Sequence, residues 1–284
     1  LDNLANLYSA QGKYEQAEPL YQRVLNIKEK VLGTEHPEVV TTLDNLANLY
    51  RVQGKCEQAE PLYLQVLDIR EKGLGAEHPE IAITLNNLAL LYCDQDKYSE
   101  AEPLYLRTLT IAEKVLGTEH PETAMTLSTL GGLYYAWGKY EQAEPFLRQA
   151  LVIYEKLWGT EHPEIASILN NLAQLYYELG KYEQAEPLYV RALDIRKLVL
   201  GTEHPETAIT LNSLAELYSA QGKYEEAELL LQRALVIYKK VLGTEHPHTI
   251  MAMKNCVSLL QMIRRMQKED SPCISAGESQ SRGN

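Results

Sequence analysis

The feature that most constrains this chain is a five-residue unit, G-T-E-H-P, that returns at a constant interval. Its six copies begin at Gly33, Gly75, Gly117, Gly159, Gly201 and Gly243, with Ala76 replacing the threonine in the second copy. Successive copies are 42 residues apart, without insertion or deletion. A fixed period of this length is typical of stacked repeats, because one repeat cannot bury its apolar face alone. The sequence therefore predicts one continuous repeat array, with any function on the surface that the stack forms.

Each repeat predicts two amphipathic helices. In the third repeat, Pro79 suits the first turn of a helix, where its missing N–H costs nothing. The apolar residues that follow have the helical spacing i, i+3, i+4, i+7 at Leu85, Leu88, Ala89 and Tyr92. A second amphipathic segment covers residues 97–116. We therefore predict an all-α fold, an α-solenoid of stacked antiparallel helix pairs.

The same period predicts the division of the chain. A partial first repeat covers residues 1–35, five full 42-residue repeats cover 36–245, and a C-terminal capping helix covers 246–268. The polar residues 269–284 are expected to form a disordered tail. Because Leu1 is not a methionine and falls within a repeat, we expect the sequence to be part of a longer chain.

Charge and cysteine usage restrict the classes of partner. A net charge of −12 disfavours nonspecific binding to nucleic acid or to an anionic membrane, since both require clustered Lys and Arg. The four cysteines have neither C-x-x-C spacing nor a fixed place in the repeat; they are Cys56, Cys93, Cys256 and Cys273. We expect free thiols in a reducing compartment, and hence a cytoplasmic protein.

The histidine of each G-T-E-H-P unit invites a metal-site interpretation, but its position favours another role. Each histidine precedes a proline in the turn between repeats, and consecutive copies are separated by a whole repeat. Coordination needs ligands that converge on one ion at about 2.1 Å. We predict a capping or turn role for these histidines and no metal or cofactor site. Without an H-E-x-x-H or phosphate-loop motif, we also predict no enzyme activity.

The repeat pattern resembles a known family. L-x-x-L-[AG]-x-x-Y followed by G-K-Y-x-x-A-x-x-x-[YL] is similar to the tetratricopeptide repeat. The long form of this repeat, with T-L-N-N-L-A-x-L-Y at 84–92, G-K-Y-E-Q-A-E-P-L-Y at 12–21 and V-L-G-T-E-H-P at 31–37, resembles the repeats of kinesin light chains. The resemblance implies a right-handed superhelix whose first helices line a concave groove.

The resemblance also implies candidate functions. The first is a protein-interaction scaffold that holds an extended peptide or partner segment in the groove, as a kinesin light chain-like cargo adaptor whose partner would be the kinesin heavy chain. Similar arrays form the C-terminal parts of signalling ATPases, so the alternative is the sensor or interaction arm of such a protein or regulator, with its N-terminal part missing. A purely structural spacer is the third possibility.

One asparagine of the family pattern is the first candidate site. Members that bind peptides use the second Asn of N-N-L-A to bond the peptide backbone, and it stands here as Asn3, Asn45, Asn87 and Asn171. Thr129 and Ser213 depart from this pattern. An amide suits the task because it offers a donor and an acceptor without charge. The alternative is that these asparagines only tie neighbouring helices together.

Rotation away from the buried stripe predicts further groove residues, namely Asp44, Asn86, Asn48, Arg51, Tyr135 and Tyr177. Basic residues are scarce at these positions, so we expect a neutral to mildly basic segment as the ligand. Tyr135 and Tyr177 are candidate aromatic anchors, the alternative being surface tyrosines without a ligand.

Overall fold

The structure, a computed structural model, describes residues 1–269, and the predicted tail from residue 270 onwards, with Cys273, lies outside them. Within this range the chain forms thirteen α-helices and no strand. The helices are α1 Asp2–Ala10, α2 Tyr14–Leu32, α3 Pro37–Val52, α4 Cys56–Leu74, α5 Pro79–Cys93, α6 Tyr98–Leu116, α7 Pro121–Ala136, α8 Tyr140–Trp158, α9 Pro163–Glu178, α10 Tyr182–Val199, α11 Pro205–Ala220, α12 Tyr224–Val241 and α13 Pro247–Glu269. None of these helices is long and apolar enough to cross a membrane.

The helices pack in sequence order within two compact units. The first unit comprises Leu1–Thr160 and contains α1 to α8; the second begins at Glu161 and contains α9 to α13. Within each unit, every helix packs on the helix before it and on the helix after it. This arrangement confirms the predicted all-α repeat solenoid.

The histidine of each G-T-E-H-P unit caps the odd-numbered helix that follows it, from α3 to α13, as predicted. In α3, the His36 side chain accepts a hydrogen bond from the Glu38 N–H, 3.2 Å from Nδ1, and Pro37 begins the helix. The other five caps have the same geometry, with distances of 3.2 to 3.3 Å, at His78, His120, His162, His204 and His246. Each cap satisfies an N–H that the helix itself leaves without a partner. Among the described residues, no group of three or more His, Cys, Asp or Glu is placed to hold a metal ion.

The turn between the paired helices needs a residue in the left-handed region. Gly54 has φ +71° there, and in the third repeat Asp96 takes the same conformation with φ +57°. Asp96 is compatible with this backbone because aspartate tolerates left-handed dihedral angles better than most residues. Its Oδ1 also accepts a hydrogen bond from the Tyr98 hydroxyl at 2.7 Å.

The core of each pair forms where a small residue on the first helix meets the second helix. The small residues of the first helices are completely buried at Ala5, Ala47, Ala89, Ala173 and Ala215. In the fourth repeat this residue is Gly131, and a Cβ added there would lie 2.5 Å from Leu147 Cγ. Leu147 is itself 1% exposed, so it has little room to move. The two helices of this pair are therefore packed too closely for a methyl group.

Two adjacent glycines in α7 provide a matched test of this packing. We expect Gly131→Ala to lower the free energy of unfolding by about 1–2 kcal/mol, because overpacking exceeds the gain in helix propensity. Gly132 is exposed, with no atom within 4 Å of an added Cβ. Gly132→Ala should therefore raise the free energy of unfolding by about 0.5–1 kcal/mol. Urea unfolding followed by circular dichroism measures both; equal effects of the two substitutions would contradict the close approach.

Candidate functional site on the first helices

The predicted groove residues fall into four columns, each made of one register position of the odd-numbered helices. The first column comprises Asp2, Asp44, Asn86, Ser128, Asn170, Asn212 and Lys254. The second column comprises Asn3, Asn45, Asn87, Thr129, Asn171, Ser213 and Asn255. The third column comprises Asn6, Asn48, Leu90, Gly132, Gln174 and Glu216. The fourth column comprises Ser9, Arg51, Cys93, Tyr135, Tyr177 and Ser219.

In the first column, the expectation that Asp44 faces a groove is wrong. Asp44 is only 8% exposed, and its Oδ2 lies 3.2 Å from Nη1 of Arg70 on α4. Arg70 is also buried, so the two charges neutralise each other inside the first unit. The helical register placed Asp44 beside the exposed face, but the long side chain of Arg70 reaches over it.

In the second column, Asn87 ties two repeats together. Its Nδ2 donates to Asp44 Oδ1 at 3.4 Å, which joins α5 to α3. In the second unit, Asn255 makes the equivalent contact, donating to Asn212 Oδ1 at 3.1 Å. For these two residues, the structure therefore shows the contact between neighbouring helices that was the alternative to peptide binding.

Two other members of the second column keep their amides available. Asn45 is half-buried in the first unit and Asn171 is exposed in the second. Within residues 1–269 neither side chain has a hydrogen-bond partner. The oxygen of Asn87 likewise accepts no hydrogen bond in this part of the chain. These amides can meet a peptide backbone without breaking a contact of the fold.

The third column is largely occupied by contacts within a repeat. Asn48 Oδ1 accepts from the hydroxyl of Tyr63 at 2.8 Å, and its Nδ2 donates to the Asp44 carbonyl oxygen at 3.0 Å. Gln174 accepts from Tyr189 in the same way, at 2.7 Å. Sequence reasoning missed this pairing, although the signal was present. Three of the four repeats with a tyrosine at this position of the second helix, Tyr21, Tyr63 and Tyr189, carry an amide in the third column. The fourth, with Tyr105, has Leu90 there, and the repeats with Leu147 and Leu231 have no amide.

The fourth column contains one neutralised cation and two half-buried tyrosines. Arg51 Nη1 lies 2.8 Å from Asp94 Oδ2, so its charge is compensated within the first unit. The Tyr135 ring packs against Tyr140, with centroids 5.4 Å apart. In the second unit the rings of Tyr177 and Tyr182 are 5.6 Å apart. Each tyrosine therefore has an aromatic neighbour but keeps part of its ring in contact with solvent.

Tyr177 also lines a cavity of about 300 Å³ in the second unit. The cavity lies beside Leu231, which stands where other repeats have a tyrosine, and Glu216 replaces the amide of the third column. Glu216 Oε1 accepts from Nδ2 of Asn212 at 2.8 Å and from Nδ2 of Asn255 at 3.0 Å. Burial raises the pKa of the Glu216 carboxyl, and these two hydrogen bonds oppose the increase.

The structure thus brings together Asp44, Asn48 and Asn87, but as a contact network of the fold. Arg51 belongs to a separate ion pair, and Asn86 lines another cavity in the first unit. The candidates with accessible polar or aromatic groups are Asn45, Asn86 and Tyr135 in the first unit and Asn171 and Tyr177 in the second.

Breaking the Asp44 ion pair should be costly. Asp44→Ala leaves the buried Arg70 without its nearest carboxylate, so we expect the free energy of unfolding to fall by about 3 kcal/mol. Asp94→Ala, which removes the more exposed partner of Arg51, should cost less than about 1 kcal/mol. Chemical unfolding of the two variants makes the comparison. A loss for Asp44→Ala as small as that for Asp94→Ala would show that Asp44 is not a structural residue.

The Glu216 carboxyl predicts a pH-dependent effect. Because burial raises its pKa in the folded state, the carboxylate destabilises the fold above that pKa, and this cost disappears as the pH falls toward the unfolded value of about 4.3. Glu216→Gln should therefore raise the Tm at pH 8, and the Tm difference from the wild type should shrink at pH 4.5. Glu225→Gln, at an exposed site of α12, is the matched control and should show no such trend. An equal Tm difference at both pH values would contradict the burial of a charged Glu216.

Comparison with known proteins gives the family. A family model described as the tetratricopeptide repeat matches residues 1–72, 74–156 and 164–240, and a second model of that description matches 128–198. No curated protein matches the chain.

Three solved structures are similar. The first is a putative kinesin light chain from Podosopora anserina with nearly identical TPR-like repeats, which is 30% identical to this chain. The matched region covers 73% of this chain and 98% of that protein, with a TM-score of 0.65. BtubC from P. vanneervenii is 24% identical, and the match covers 95% of this chain and 99% of BtubC with a TM-score of 0.69. A signal transduction ATPase with a tetratricopeptide repeat sensor from Pyrococcus horikoshii is 18% identical, and the match covers 92% of this chain and 38% of the ATPase with a TM-score of 0.72. The last two show likeness of fold alone. Together with the family match, the 30% identical relative shows that the chain belongs to the tetratricopeptide repeat family, in its 42-residue, kinesin light chain-like form.

Proposed function

We propose that this chain is a protein-interaction scaffold that binds an extended segment of a protein partner on the exposed face of its first helices. The observation that carries the proposal is the combination of available amides and exposed apolar side chains on that face. In the first unit, Ile83 and Met125 are 56% and 57% exposed and share one register position. That position is one helical turn before the second column, which contains Asn45 and Asn87. Amides that bond a peptide backbone beside apolar contacts for its side chains form a common means of peptide recognition.

The charges beside the columns support a neutral to basic partner. The nearby cations are already paired within the first unit, Arg70 with Asp44 and Arg51 with Asp94. The chain as a whole carries a net charge of −12. An acidic segment would meet repulsion without a compensating cation, whereas a basic segment would be attracted.

We propose two cellular roles from the similarity to solved structures. The likeness to a putative kinesin light chain favours a cargo-adaptor role, with a kinesin heavy chain as partner. A second candidate, favoured by the likeness to the sensor of the Pyrococcus horikoshii ATPase, is the interaction arm of a signalling protein. Both roles bind a protein segment and require no catalysis. The half-buried free thiols of Cys56, Cys93 and Cys256 support a cytoplasmic location.

Selection of peptides from a random display library against the full chain tests the binding face. We expect the selected peptides to be rich in Lys and Arg and to lose about tenfold in affinity on Asn45→Ala or Asn171→Ala. The fold should be unaffected, because these amides make no hydrogen bond within the described residues. Asn26→Ala, an exposed asparagine on α2, is the matched control. If neither Asn45→Ala nor Asn171→Ala weakens any selected peptide, the proposed binding face is wrong.

A further inference from the structure

A cation on the second helix of a pair is held by the same kinds of group in several repeats. In the first unit, Arg70 on α4 contacts three polar side chains. They are Asp44 of the first column and Glu80 and Thr84 of α5. The distances are 3.2 Å from Nη1 to Asp44 Oδ2 and 3.4 Å from Nε to Glu80 Oε2. Nη1 also donates to the Thr84 hydroxyl. We call this arrangement the cation clamp.

The clamp recurs at the same spacing elsewhere. In the second unit, Arg196 donates to Thr210 Oγ1 at 2.6 Å and lies 3.0 Å from Oε2 of Glu206. In the first unit, the ammonium of Lys28 contacts Asp2, Thr42 at 3.2 Å and Glu38 at 3.5 Å. The glutamate always follows the cation by ten residues, and the threonine follows it by fourteen. These fixed spacings indicate that the glutamate and the threonine together bind a cationic side chain.

The third repeat has the clamp but not the cation. Ala112 stands at the position of Lys28, Arg70 and Arg196. In the other two repeats the position is filled by a large side chain, at Tyr154 and Tyr238. Around Ala112 the glutamate and the threonine of the clamp are present at the expected spacings, as Glu122 and Thr126, and Asn86 stands where the clamps of Lys28 and Arg70 have an aspartate. The third repeat is therefore the one in which these groups surround a small residue.

The missing side chain leaves a cavity of about 450 Å³ between α5, α6 and α7, and all four residues line it. Thr126 Oγ1 donates to the Glu122 carbonyl oxygen at 2.9 Å, just as Thr84 donates to Glu80 at 3.2 Å, which leaves the hydroxyl oxygen able to accept. Within residues 1–269, the side chains of Glu122 and Asn86 have no ion pair or hydrogen bond.

The remaining walls of the cavity are mostly apolar, and its mouth is open to solvent. Ile111 lies on α6, while Ile83 and Met125 stand at the mouth, each more than half exposed. Such walls suit the methylene stem of a long cationic side chain, whose charged end would reach the polar groups.

We propose that this cavity is a socket for an arginine side chain of a protein partner. The guanidinium takes the place between Glu122 and Thr126 that Arg70 fills between Glu80 and Thr84. Arginine fits better than lysine because its planar fork of donors can bond the carboxylate and the hydroxyl together. The inference rests on the proposed function for the source of the arginine, and the net charge of −12 attracts such a partner.

Ethylguanidinium chloride is the direct probe, since it is the part of an arginine side chain that alanine lacks. Titrated into the ¹⁵N-labelled full chain, it should give saturable NMR shifts at the amides of Ala112, Glu122 and Thr126. Ethylurea, a neutral probe of the same shape, should give none. Glu122→Gln should weaken ethylguanidinium binding about tenfold, because the carboxylate supplies the charge-assisted bond.

Ala112→Arg should abolish the saturable shifts and raise the Tm, because the new side chain fills the socket as Arg70 does. Ala136→Arg, at an exposed site on α7, adds the same charge outside the socket and should leave the shifts unchanged. Equal shifts with ethylurea, or shifts that persist in a folded Ala112→Arg variant, would overturn the proposal. If ethylguanidinium fails to bind while Asn45→Ala still weakens the selected peptides, the socket is wrong and the proposed binding face stands. If ethylguanidinium binds while Asn45→Ala leaves the selected peptides unaffected, the socket stands and the proposed binding face is wrong.

Discussion

The two helices of each repeat approach each other closely at a completely buried small residue, and the stacking of the repeats follows from this contact. Ala47 and its equivalents let a tyrosine or leucine of the second helix lie directly against the first. No single pair can bury all of its apolar surface, so each needs the next pair. The histidine cap fixes where α3 and each later first helix begins, and with it the register at which neighbouring pairs meet. Packing and capping together hold the polar columns at the same place on each first helix.

Because equivalent positions have the same surroundings in each repeat, a residue that differs from its equivalents has a visible structural effect. Where Arg70 or Arg196 fills the position next to the first column, acidic, hydroxyl and carbonyl groups hold the cation. Where Ala112 occurs instead, the same kinds of group line a cavity. Leu231 has a similar consequence in the second unit, where the absence of a tyrosine hydroxyl accompanies Glu216 and a cavity beside Tyr177. We propose that Ala112, a departure from the repeat, forms the socket for a partner's arginine, and that the second-column amides Asn45 and Asn171 bind the partner's backbone. The other repeated residues mostly supply stability.

The fold could be predicted from the sequence because each signal recurred in every repeat. Six histidines before prolines identified the helix starts, and the small-residue positions identified the core. The candidate site was predicted less well. Helical periodicity gives the direction of a side chain but not the reach of its neighbours, so Asp44 was expected to be exposed although Arg70 covers it. The pairing of Asn48 with Tyr63 joins residues 15 positions apart on different helices, and only a comparison among the repeats would have found it. The same comparison identifies Ala112 as an exception, but its cavity required coordinates.

The central claim is that a partner segment binds along the first helices, with an arginine side chain in the cavity beside Ala112 of α6. A crystal structure of the chain with one selected basic peptide tests it most directly. We expect an arginine of the peptide to lie between Glu122 and Thr126, with its stem against Ile83 and Met125, and the neighbouring peptide backbone to be bonded to second-column amides. A peptide with no side chain beside Ala112, and with none of its backbone bonded to second-column amides, would contradict it.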